Sequence, residues 1–214
     1  MAGSDQVKKV GQAIVDLDLD NIAGVVKEAV AGGASKQDII EKGMREGMSE
    51  VGRKFEEGEY YLAELVLAAE TMKDGLAALE SEVPGEAGPP KATVVIATVK
   101  GDVHDIGKNL VGATLTAAGY RIVDLGVDVP AGELVKAVRD NDAAVVGISV
   151  LLTPMVGELS NTVKAFESAG LRDKVKIIIG GACTSESLAV EHKCDAFGKD
   201  AVEAVRLVDS LTGN

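Results

Sequence analysis

The rhythm of apolar positions changes once along the chain, near residue 90. Before that point apolar side chains recur every three or four residues, the period of a helix with one buried face. The spacing predicts helices over residues 7–15 and 22–30, with Gly32-Gly33 ending the second and Ser35 placed to cap the next. From 37 to 55, Ile39, Ile40, Met44, Met48, Val51 and Phe55 form one stripe between Lys, Arg and Glu side chains. Residues 60–79 are apolar on most faces, as expected of the most buried helix in a small group. Four such helices predict a four-helix bundle.

After residue 91, short Val- and Ile-rich runs alternate with helical stretches. Strands are predicted at 92–99, 121–125, 143–152, 175–179 and 196–198, and helices at 106–118, 131–140, 156–168, 185–193 and 201–211. This alternation predicts an α/β domain, a flavodoxin-like, doubly wound five-stranded parallel sheet covered on both faces. Between the halves lies SEVPGEAGPPK (81–91), which holds three of the five prolines. Proline cannot continue a helix, so this stretch reads as a boundary. The expected division is a helical domain over 1–83, a linker over 84–91 and an α/β domain over 92–214.

Charge and cysteine content narrow the function. The net charge of -12 opposes nucleic-acid binding, which rests on Lys and Arg neutralising phosphates. Two cysteines make neither a disulfide framework nor a Cys-based zinc site. No signal-peptide pattern opens the chain and no run reaches membrane-spanning length, so a cytoplasmic protein with no membrane partner is expected.

In a doubly wound sheet, ligands bind beyond the carboxyl ends of the strands. Three predicted loops meet there. The first, TVKGDVHDIGKN, carries Gly101, Asp102, His104, Asp105 and Gly107; the second carries Ser149, Leu151 and Thr153; the third carries Gly180 and Gly181. A phosphoacceptor site is excluded because the third strand ends SVLLT, without a carboxylate nucleophile. A dinucleotide site would need G-x-G-x-x-G, and here acidic side chains stand where a phosphate would approach. One histidine cannot make a zinc site. It suffices as an axial ligand, however, for a metal whose equatorial ligands come from a macrocycle. A carboxylate on the other ring nitrogen, as Asp102 could supply, then fixes the tautomer. Asp105 reads as a helix cap or first-turn carboxylate.

GDVHDIGKN, ISVLLT and IIGGA together resemble the cobalamin-binding domain of corrinoid proteins, whose D-x-H-x-x-G, S-x-L and G-G motifs occur here in order at matching spacing. The helical half resembles the cap domain of methyl-carrying corrinoid proteins, and the pair resembles the cap and cobalamin modules of cobalamin-dependent methionine synthase. The resemblance implies cobalamin as cofactor, bound base-off with His104 as cobalt ligand. It implies that Asp102 hydrogen-bonds this histidine and that Ser149 completes the relay. Val103, Asp105, Ile106, Gly107, Leu151, Thr153, Gly180 and Gly181 are the further implied cofactor-binding positions, several of them lining a slot for the displaced nucleotide tail.

The resemblance further implies a methyl carrier, non-catalytic alone. Its implied partners are a substrate:corrinoid methyltransferase, a second methyltransferase passing the group to tetrahydrofolate or a thiol, and a corrinoid reductive activase. Tyr60, Tyr61, Leu65 and Met72 are candidates for the upper corrin face, though core packing explains them equally. Two alternatives share the D-x-H-x-x-G motif. A cobalamin-dependent sensor is expected to carry a DNA-binding module ahead of the cap, and the small subunit of an adenosylcobalamin mutase has no need of a cap.

Overall fold

The computed structural model describes residues 2–84 and 90–213; most of the expected linker, residues 85–89, therefore lies outside the described residues. The chain divides into two compact units, Met1–Pro89 with Ala117–Gly119, and Pro90–Thr116 with Tyr120–Asn214.

In the first unit, α1 (Ala2–Val15) and α2 (Ile22–Ala31) form where the periodicity places them. The third helical run spans 36–56 but is not uniform. An α-helical turn, α3 (Lys36–Asp38), passes into a π-helical segment at Ile39–Arg45 and then into α4 (Glu46–Glu56). The Ser35 hydroxyl accepts from the Asp38 amide at 3.0 Å, as the capping pattern predicts. After a turn comes α5 (Leu62–Glu82), whose start is fixed by Glu64 accepting the Tyr61 amide at 2.8 Å. The core of this unit is aliphatic, with Val10, Ile14, Ile22, Val26, Ile39, Met44, Val51, Leu65, Met72 and Leu79 buried.

Two backbones come unusually close in this bundle. A Cβ on Gly47 would stand 2.6 Å from the Gly11 carbonyl oxygen, and one on Gly11 would stand 2.8 Å from that of Gly43. α1 and the third run thus pack main chain to main chain, which only glycine permits.

The second unit is a five-stranded parallel sheet: β1 (Thr93–Thr98), β2 (Arg121–Asp124), β3 (Val145–Ser149), β4 (Lys176–Gly180) and β5 (Ala196–Phe197), in the order β2-β1-β3-β4-β5. Helices α6 (Ile106–Ala117), α7 (Ala131–Asn141), α8 (Gly157–Ser168), α9 (Glu186–Glu191) and α10 (Ala201–Thr212) follow the strands in turn. Val95, Ala97, Val146, Ile148, Ile177 and Ile179 share a core with Leu134 and Val138 of α7 and Leu159, Val163 and Phe166 of α8. The alternate residue Ile96 meets α6, where a Cβ on Gly112 would come within 2.7 Å of its Cδ1. Both sheet faces are therefore covered, which is why these strands read as continuous apolar runs.

β1 has β2 on one side and β3 on the other, so the chain direction around the sheet reverses between β1 and β3. The carboxyl ends of these two strands flank the crevice where doubly wound sheets bind ligands. β3 ends earlier than the apolar run 143–152 suggests. The Val150 amide still donates to the Gly180 carbonyl at 2.9 Å, but the next two amides leave the ladder for a side chain.

Candidate functional site

That side chain is Asp102, which is wholly buried in the loop after β1. Its Oδ1 accepts from His104 twice, from Nδ1 at 2.7 Å and from the backbone amide at 3.1 Å. Oδ2 accepts the amides of Leu151 at 2.7 Å and Leu152 at 3.1 Å from the loop after β3. Burial alone would push this carboxyl up. The hydrogen bonds from His104 and from the Leu151 and Leu152 amides outweigh it and hold the carboxyl at about 2. Asp102 is consequently an anion at neutral pH, able only to accept. Nδ1 of His104 must then donate, so that in the neutral imidazole the lone pair stands on Nε2.

The His104 side chain is 49% exposed, and no partner for Nε2 is found among the described residues. The imidazole is thus fixed at one nitrogen and open at the other. Around it the loop presents apolar groups to solvent, with Val103 67% and Ile106 73% exposed, and Leu151 and Leu152 also exposed. Gly107, in the first turn of α6, has nothing within 4 Å of where a Cβ would stand. Among the described residues no cluster of three His, Cys, Asp or Glu side chains could hold a metal ion by itself. A metal at Nε2 would have to bring its remaining ligands with it.

The other expected site residues lie at or just beyond the carboxyl ends of β1, β3 and β4. Ser149 ends β3, beside Thr98 of β1 and Gly180 of β4, and its carbonyl accepts the Val99 amide at 3.1 Å. Its hydroxyl is not among the partners of Asp102. The relay position expected for it is taken by two backbone amides, because the chain turns back over the carboxylate directly after β3. Asp105 precedes α6 and accepts from the Asn109 side chain at 3.1 Å. Thr153 opens a 3-10 turn, Thr153–Met155, and is exposed. Gly181 has φ +118, and a Cβ there would stand 2.2 Å from the Val150 carbonyl oxygen, so it brings the third loop hard against the second. The Cys183 thiol donates to that same carbonyl at 3.3 Å, and burial pushes its pKa up.

Four contributors escaped the sequence reading. Leu152 acts through its amide, which no side-chain pattern reveals. Thr98, fully buried, donates its hydroxyl to the His104 carbonyl at 2.8 Å. Asp128 accepts the Gly101 amide at 2.6 Å. Lys108, buried in the first turn of α6, donates to Asn109 Oδ1 at 2.7 Å and Asp124 Oδ2 at 2.5 Å. The only available signals were the unusual LGVDVP turn and a lysine on a largely apolar helix.

Comparison with known proteins identifies the family. A family described as B12 binding domain matches residues 92–206, and a second of the same description matches residues 6–80. A dimethylamine corrinoid protein of Methanosarcina barkeri is 36% identical over 212 residues, covering 99% of each chain. A solved cobalamin-binding protein from Desulfitobacterium hafniense DCB-2 has a TM-score of 0.78 at 33% identity, covering 96% of this chain and 98% of its own. A chain of the methanol:cobalamin methyltransferase complex of Methanosarcina barkeri has a TM-score of 0.88 at 28% identity, covering 98% of this chain and 80% of its own. The switch-point loop, the doubly wound sheet and these matches over nearly the whole length place the chain in the corrinoid protein family, with cobalamin as its cofactor.

Proposed function

We propose that the protein carries a methyl group on a corrinoid bound base-off, with His104 Nε2 as the axial ligand of cobalt. The carrying observation is the state of His104, oriented through Nδ1 by a buried carboxylate while Nε2 is open. The residues present fit a corrinoid: a single imidazole lone pair, a surround of exposed apolar side chains, and open space at Gly107. When bound, the corrinoid supplies a cobalt centre that accepts a methyl group and gives it up again.

The chain's own residues orient and tune. Asp102 holds the Nδ1 proton and so orients the ring, while the Leu151 and Leu152 amides keep Asp102 ionised. Val103, Ile106, Leu151 and Thr153 would line the surround, Gly107 would leave room beside the cofactor, and Gly180 and Gly181 would border the slot for its nucleotide tail. Residues 1–83 form the cap, 84–91 the linker and 92–214 the cofactor domain. Partners are a methyltransferase that loads the cobalt from a small methylated amine or alcohol, as the names of the relatives suggest, and a second that unloads it to tetrahydrofolate or a thiol. A reductive activase restores the cobalt after adventitious oxidation.

The test is the visible spectrum of the protein loaded with methylcobalamin, beside His104→Ala. Wild type should show a protein nitrogen on cobalt, and the variant a five-coordinate, base-off form. Retention of the cofactor's own base in wild type would overturn the assignment.

A further inference from the structure

The loop bearing Asp102 and His104 is held from a direction that neither the motif nor the carboxylate explains. Asp128, between β2 and α7, grips it twice. Its Oδ1 accepts the Gly101 amide at 2.6 Å, and its own amide donates to the Asp102 carbonyl at 2.9 Å. The two bonds span residues 101–102 and fix the backbone on both sides of the Asp102 Cα. Asp128 makes this grip in the left-handed region, at φ +56, which costs a residue with a side chain and is tolerated best by Asp and Asn. Its neighbours reinforce the grip: the Val129 amide donates to the Thr98 carbonyl at 3.1 Å, and Val129 bridges Val99 in parallel. Gly101 sits at φ +84, and a Cβ there would stand 2.6 Å from the Met155 sulfur, so the gripped peptide has little freedom to move elsewhere.

We propose that Asp128 is a positioning residue for the axial histidine, holding the Gly101–Asp102 backbone so that the imidazole presents Nε2 at the distance and angle cobalt requires. This rests on the reading of His104 as cobalt ligand. Asp102 is anchored at its carboxylate by the Leu151 and Leu152 amides. Its backbone is anchored by its own amide on the Val99 carbonyl at 3.1 Å and by the Asp128 amide, while the Asp128 carboxylate holds the preceding Gly101 amide. Loss of the Asp128 carboxylate frees the Gly101 amide, while the residue 128 amide still donates to the Asp102 carbonyl; the turn that enters Asp102 loosens and His104 moves with it. Asp128 acts through the loop backbone, so its effect should fall on axial coordination more than on cofactor capture.

Two variants separate the hydrogen bond from backbone strain. Asp128→Gly relieves the left-handed conformation but removes the acceptor, whereas Asp128→Asn keeps both the acceptor oxygen and the tolerance of positive φ. The full chain, labelled with 15N-histidine, is loaded with cobalamin, reduced to the cob(II) form and read by electron paramagnetic resonance, where a protein 15N splits each cobalt line into two and the cofactor's own 14N base would split it into three. Asp128→Gly should lower the equilibrium constant for histidine coordination about tenfold, the effect of one lost hydrogen bond. Asp128→Asn should restore it, and cobalamin affinity should change less than coordination in both. In the cofactor-free protein, the Gly101 amide should exchange with solvent faster in Asp128→Gly than in wild type or Asp128→Asn. Wild type without the two-line splitting of a labelled histidine overturns the His104 reading and this inference together. Wild-type splitting retained unchanged in Asp128→Gly, or an unaltered Gly101 exchange rate, overturns this inference alone.

Discussion

Lys108 and Asp124 form an asymmetric pair: the lysine side chain is 3% exposed, the aspartate side chain 40%. Removing either partner therefore has unequal consequences. Asp124→Ala strands a buried ammonium on Asn109 alone and should cost about 2 kcal/mol or more. Lys108→Met removes the buried charge and leaves a carboxylate in water that still accepts the Gly126 amide at 2.8 Å. That variant should stay within about 1 kcal/mol of wild type. Thermal melts of the two cofactor-free variants check the order.

The close approach of α1 to the third helical run makes a second prediction. Gly47→Ala drives a Cβ to 2.6 Å from the Gly11 carbonyl and 3.0 Å from its Cα. Backbone cannot swing aside, so a loss of about 2–3 kcal/mol is expected. Gly24, in α2, has nothing within 4 Å of its missing Cβ. Gly24→Ala should therefore stabilise the helix by up to about 1 kcal/mol. Urea titrations of the pair test both signs.

Glycines at the site divide in the same way. Gly181→Ala meets the Val150 carbonyl and a backbone region closed to side chains, and should impair folding itself. Gly107→Ala meets no protein atom, so the cofactor-free melting temperature should hold or rise slightly. If the corrinoid lies over this loop as proposed, cobalamin affinity of the Gly107 variant should fall, because the added methyl would enter its space. Calorimetric titration with cobalamin beside thermal melts separates the two effects.

Thiol chemistry supplies a pH dependence. Burial, the dominant influence, pushes the Cys194 thiol up to about 11, with Arg172 opposing and Asp195 assisting. The reactive thiolate is then on the order of one part in a thousand at pH 8. Alkylation of Cys194 by iodoacetamide should be slow at neutral pH and climb about tenfold per pH unit towards pH 10. Mass spectrometry of the modified peptide follows it. Fast labelling at pH 7 would contradict the burial.

Much of the fold was legible because strand and helix periods differ: the first half keeps to the helical one and the second alternates between the two. The alternation after residue 91 yields the five strands and five helices in order, and D-x-H-x-x-G marks the loop that bears His104. What could not be read is what depends on backbone contacts between distant segments. The π-helical segment at Ile39–Arg45 has the same apolar stripe as an ordinary helix. The end of β3 at Ser149 is set by amides turning to Asp102, while the apolar run continues to Leu152. A hydroxyl relay from Ser149 was the natural reading of a motif written in side chains, yet the groups that reach Asp102 Oδ2 are main-chain amides. Asp128 was invisible for the same reason, since LGVDVP signals a turn but not what the turn holds.

Because Asp102 is held by the amides of Leu151 and Leu152, substitution at those two positions cannot delete the donors, proline excepted. Evolutionary drift in both side chains can reshape the apolar rim beside His104 while the Asp102–His104 pair stays intact. The loop after β3 is thereby a place where the surroundings of the imidazole can be retuned by ordinary point mutation. A library randomised at 151 and 152 should return many folded members and few that contain proline.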